Sequence, residues 1–117
     1  MKKNQEIEGN SALVLASESS ARRLILMRLK LVFDVIAPDF DEMAQPGVAP
    51  AEVALINARG KAGSVASKLA GRPNANAIII GSDQVCCMDS GMVLHKPGSV
   101  DRAIDQLAQA SDQWLTF

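Results

Sequence analysis

The sequence predicts a mixed α/β fold, a β-sheet flanked by helices, and three observations carry that expectation. Short runs rich in Val, Ile and Leu recur at 12–16, 32–37 and 77–81, with the length and composition of buried strands. Two other stretches, 51–69 and 100–108, place apolar residues at helical spacing instead. Clusters of Ser, Pro, Gly and Asp separate the segments and supply caps and turns.

In chain order, the polar residues 1–11 predict a flexible N-terminus, and residues 12–16 a first strand buried on both faces. Ser17-Glu18-Ser19-Ser20 offers N-caps for a helix over 22–31, and 32–37 reads as a second strand that ends at Pro38. A loop follows, bearing Asp39, Asp41 and Glu42 and the turn residues Pro46, Gly47 and Pro50. The helix over 51–69 aligns Ala54, Ala58, Ala62, Val65 and Leu69 on one face. Gly60 and Gly63 within it each cost roughly 1 kcal/mol relative to Ala, which points to close approach by another element.

Residues 77–81 form the clearest candidate for a buried strand. Residues 85–88 and 92–95 then pair as a hairpin across Asp89-Ser90-Gly91. Ser99 caps a third helix with Val100, Ala103, Ile104, Leu107 and Ala108 on one face, and 113–117 begin another strand. The expected order is β-α-β-α-β-β-β-α-β. Residues 12–117 should form a single domain that is incomplete at its C-terminal end, because the chain stops on apolar strand residues.

Composition limits the partners. The chain has 117 residues with 12 Lys+Arg against 13 Asp+Glu, enough for one core and without the basic field a nucleic-acid surface needs. Its apolar runs reach about five residues, far short of the roughly 20 that span a bilayer, so neither a nucleic acid nor a membrane is expected as partner. Cys86 and Cys87 are sequence neighbours that cannot form a normal disulfide, and no signal peptide is legible; a reduced, cytoplasmic setting follows.

Several residues could carry chemistry. Ser17, Ser19, Arg22 and Arg23 gather hydroxyls, guanidinium groups and free backbone N–H groups at one helix start, either an anion site or a capped helix with solvated arginines. Lys61 falls inside the apolar stripe of the second helix and either snorkels to water or projects its charge into a cleft. Asp83 is the sole charge between Arg72 and Asp89, just beyond a buried strand. There it could orient water, ligate a metal, accept a proton or cap the loop. Asp39, Asp41 and Glu42 are hard-oxygen donors suited to Mg²⁺ or simply a solvated acidic loop. Lys96 is held on a stiff Lys-Pro backbone, and His95 reads as structural rather than as a base.

The segments Leu15-Ala16-Ser17-Glu18-Ser19-Ser20-Ala21-Arg22-Arg23, Ala37-Pro38-Asp39-Phe40-Asp41-Glu42, Ala58-Arg59-Gly60-Lys61-Ala62, Gly81-Ser82-Asp83-Gln84-Val85 and Lys96-Pro97 together resemble the Maf family of nucleoside triphosphate pyrophosphatases. The variant around Gln84 resembles the branch acting on 7-methyl-GTP. The resemblance implies a hydrolase that releases pyrophosphate and a monophosphate, a divalent cation such as Mg²⁺ held by Glu42 and Asp83, and a homodimer. It assigns Asp83 as proton acceptor, Arg22, Lys61 and Lys96 as phosphate-binding cations with Ser17 and Ser19 beside them, and Glu42 as an acidic active-site residue. Ala21 and Gln84 fall on positions linked with base selectivity; Ala21 stands where that branch usually carries Trp. It also implies that the chain is the N-terminal portion of a longer fold. The alternatives are a nucleotide-binding but catalytically silent remnant and a regulatory protein linked to septum formation.

Overall fold

A computed structural model describes residues 12–42 and 46–117. The flexible N-terminus expected over 1–11 lies outside them. The elements follow the expected order, and the chain divides into two compact units.

The first unit comprises the described residues up to 42 together with Ile56–Ser82. Its sheet has the order β2-β1-β3 and is parallel throughout. β1 (Leu13–Ala16) lies in the middle, with Val14 opposite Asp34 of β2 (Asp34–Ile36) and opposite Ile79 of β3 (Ile78–Gly81). Consecutive residues of a strand face opposite sides, so burial of Val14, Leu15 and Ala16 in succession bears out the expectation of a strand covered on both faces. Val14 and Ala16 share a face, and with Ile36 they meet Val65 and Leu69 of α2 (Pro50–Leu69) in the core.

α2 begins at Pro50, whose fixed φ suits a first helical position, and ends where Gly71 takes φ +75° and Arg72 N–H donates to the Leu69 carbonyl. α1 (Ser20–Met27) is shorter than expected. Successive i→i−3 bonds from Arg28, Leu29 and Lys30 tighten the chain into a turn, and Lys30 adopts φ +55°. Leu31 and Val32 are exposed and outside any strand, so β2 starts at Asp34 and not at 32. β3 differs in burial: Ile78 is 70% exposed and the rest of the strand is half-buried, because β3 is an outer strand of this three-stranded sheet.

The second unit comprises the described part of 44–55 and residues Asp83–Phe117. β4 (Cys86–Met88) pairs antiparallel with β5 (Val93–Leu94), Cys87 opposite Val93, and Gly91 at φ +83° lets the chain turn between them. Both cysteines are free and half-buried. β6 (Leu115–Thr116) pairs with the other side of β4, while Trp114 N–H donates to Asp89 Oδ2 at 3.1 Å. α3 (Val100–Gln109) has Ser99 as its N-cap, accepting from Arg102 N–H at 3.2 Å. Its apolar row faces outward: Val100, Ile104 and Leu107 are all exposed.

Candidate active site

The turn after β1 is built by its own serines. Ser17 is buried; its N–H extends the ladder to the Ile36 carbonyl, and its hydroxyl accepts from Ser19 N–H at 3.0 Å. Ser19 then caps α1, accepting from Arg22 N–H at 3.2 Å. Both hydroxyls thus serve the turn that aims Arg22. The Arg22 side chain is half-buried and Nη1 donates to the Ser82 carbonyl at 3.1 Å, at the end of β3; Arg23 and Ala21 are exposed.

Lys61 arrives at the same oxygen from α2. Buried residues of that helix recur every fourth position, Asn57, Lys61, Val65 and Leu69, which puts the lysine on the core-facing stripe. Its side chain is 9% exposed, Nζ donates to the Ser82 carbonyl at 3.4 Å, and it forms an ion pair with Glu42. The ammonium therefore reaches a local carboxylate and carbonyl rather than open water. Glu42 keeps 53% of its side chain in solvent.

The acidic loop is clamped onto α2. The Ser64 hydroxyl donates to the Lys61 carbonyl at 3.0 Å and accepts from Asp39 N–H at 3.0 Å. One turn further along, Lys68 Nζ donates to the Ala37 carbonyl at 2.7 Å. The Phe40 ring lies against Gly60, in the space that a Cβ there would need. Gly60 thus has the close neighbour its sequence position implied. Gly63 does not: nothing lies within 4 Å of where its Cβ would be. Gly81 is equally crowded, against the Ala58 carbonyl and the Ala62 Cβ. These contacts let β3 approach α2 closely and bring the Ser82 carbonyl within reach of Lys61.

Arg22 and Lys61 therefore meet at one peptide oxygen within the first unit, and Glu42 pairs with the lysine. The oxygen that the two cations share is neutral. Such a pair suits a multiply charged oxyanion, Arg as a planar fork and Lys as a point charge. Asp83 follows Ser82 directly and is half-buried; it belongs to the second unit with the exposed Gln84, His95 and Lys96. There Lys96 lines an open surface pocket with His95, Arg102 and Asp105, and Gln106 Nε2 donates to the His95 carbonyl at 2.7 Å.

Among the described residues no three His, Cys, Asp or Glu side chains gather as a metal cage. Glu42, the carboxylate of the first unit's site, is already engaged by Lys61. Mg²⁺ usually takes one or two carboxylates and completes its shell on substrate phosphates and water, and Glu42 is a donor of that kind.

Sequence reasoning passed over Phe40, Ser64 and the Ser82 carbonyl. Ser64 had a legible signal, since a serine three residues after Lys61 in a helix can return its hydroxyl to that carbonyl. The Ser82 carbonyl had none.

A family model described as Maf-like protein matches residues 12–117. The chain is 45% identical over 105 residues to the 7-methyl-GTP pyrophosphatase of Bordetella pertussis, a match covering 90% of this chain and 50% of that protein. It is 44% identical over 106 residues to the protein of the same name in Pseudomonas syringae pv. tomato, covering 91% and 52% respectively. The corresponding protein of Xanthomonas axonopodis pv. citri is 44% identical over 105 residues, 90% of this chain and 52% of its own length. The chain spans about half the length of the curated relatives it matches.

Proposed function

The chain belongs to the Maf family, and from that premise we propose that it serves a nucleoside triphosphate pyrophosphatase acting on 7-methyl-GTP or a related modified nucleotide. Water attacks the α-phosphorus, the bond from that phosphorus to the α,β-bridging oxygen breaks, and pyrophosphate leaves with a nucleoside monophosphate as the other product. Asp83 takes the proton from the attacking water. Arg22, Lys61 and Lys96 bind the phosphates and offset charge that builds on the leaving group. Glu42 holds the Lys61 ammonium in place, Ser17 and Ser19 aim Arg22, and Ala21 and Gln84 lie toward the base. Family pyrophosphatases generally use divalent metals, which would add positive charge against the phosphates. The same reading makes the whole protein a cytoplasmic homodimer. No described helix is long and apolar enough to cross a membrane.

One observation carries the reading: two cations from different helices donate to the Ser82 carbonyl, one peptide bond before the proposed proton acceptor. The test is pyrophosphate release from 7-methyl-GTP, GTP, dTTP and UTP by the 117-residue chain. Release that is strongest with the methylated nucleotide and lost in Asp83→Asn is expected. Equal release by that variant, or no release from any nucleotide, would overturn the proposal.

A further inference from the structure

The loop bearing Glu42 and the helix bearing Lys61 are joined through one hydroxyl. A serine in a helix interior often returns its proton to a carbonyl three or four residues back, a contact of little consequence by itself. In this chain the same oxygen also accepts a hydrogen bond from Asp39, 25 residues away in sequence. A hydroxyl has one proton to give and lone pairs to receive, and both capacities are used at 3.0 Å. The proton goes to the backbone of Lys61. The lone pair takes a backbone N–H three residues before Glu42. Ser64 therefore touches the main chain on both sides of the ion pair.

We propose that Ser64 is a positioning residue for Glu42 and, through it, for the Lys61 ammonium. The inference rests on the pyrophosphatase reading for its effect on turnover, but the contact itself can be tested without activity. Glu42 is half in water, and an ion pair whose carboxylate is half exposed is by itself a weak restraint on that carboxylate. The restraint comes from the main chain, through Ser64 at Asp39, Lys68 at Ala37 and the seat of Phe40 on Gly60. Of these, Ser64 also hydrogen-bonds the Lys61 backbone directly.

The experiment is a double-mutant cycle with pyrophosphate release as one readout and amide hydrogen exchange as the other. Displacing a site group by a fraction of an ångström typically costs a large factor in turnover, so Ser64→Ala is expected to lower kcat roughly tenfold. KM should stay within about twofold, and Ser64→Thr, which keeps the hydroxyl, should recover most of the loss. Adding Ser64→Ala to Glu42→Gln should cost nothing further, since the group being positioned is already gone. Exchange at the Asp39 amide should accelerate in Ser64→Ala whether or not the chain turns over. Losses that multiply in the double variant, or unchanged exchange at Asp39, would overturn the positioning role. An unsubstituted chain that releases no pyrophosphate would instead overturn the functional reading, and the exchange measurement would still decide the clamp.

Discussion

Arg22 Nη1 and Lys61 Nζ donate to one acceptor, the Ser82 carbonyl, at 3.1 and 3.4 Å. A single neutral oxygen shared between two cations is a poor substitute for a phosphate, which offers several charged oxygens. Both side chains are thus ordered in the folded chain, so an oxyanion bound there would not bear that cost again.

The Lys61–Glu42 pair is unevenly buried, and its two halves should respond differently to removal. Lys61→Met keeps the apolar stem and leaves Glu42 in contact with water, so stability should change by no more than about 1 kcal/mol. Glu42→Gln takes one charge partner from a buried ammonium and should cost more, about 1–2 kcal/mol. Urea unfolding reads both. Pyrophosphate release by Lys61→Met should fall about 10²–10³-fold, the usual effect of losing one stabilising donor. If Lys61→Met proved the costlier to stability, the ammonium would not depend on the carboxylate.

Gly60→Ala sets a helix gain of roughly 1 kcal/mol against a clash with Phe40. The atoms in the way are the far end of a ring that can swing aside. The midpoint of unfolding should therefore barely move, while Phe40 shifts and carries the Glu42 loop with it. Expected is a loss of turnover at near-native stability; unchanged turnover would mean that the ring does not hold the loop.

Gly81→Ala should behave in the opposite way. Its new methyl group meets the Ala58 backbone carbonyl and the Ala62 Cβ, neither of which can rotate away. Overpacking of this kind costs about 1–3 kcal/mol, and the separation of β3 from α2 should loosen the Lys61 contact to Ser82. Denaturation midpoints for the two glycine variants, measured side by side, check the contrast.

Ser19 and Ser99 cap α1 and α3 through equivalent bonds of 3.2 Å. Each Ser→Ala change should cost about 1 kcal/mol. Ser19→Ala should also lower pyrophosphate release, because the same bond orients the turn that presents Arg22. Ser99→Ala should leave release unchanged. Equal effects on turnover would detach Arg22 from its cap.

Much of this is legible in the sequence alone. The element order follows from strand-length apolar runs separated by caps, and Lys61 announced itself as a charge within an apolar stripe. Other features depend on neighbours that a linear pattern does not name. Ile78-Ile79-Ile80 reads like a central strand, yet its place in the order β2-β1-β3 leaves one side unpaired within that sheet. The end of α1 is set by a left-handed Lys30, a conformation that few non-glycine sequences advertise. Gly60 and Gly63 look alike in the chain and differ only because Phe40 returns to one of them. The Ser82 carbonyl belongs to every residue type equally, so its role could only be seen in space.

The exposed apolar row of α3 has a practical outcome. Val100, Ile104 and Leu107 are 76%, 58% and 71% exposed, a ready seat for a hydrophobic fluorophore on the native chain. Melting curves followed by such a reporter will begin from a bright baseline and understate the transition. Far-ultraviolet circular dichroism or calorimetry is the better thermometer for every stability comparison above.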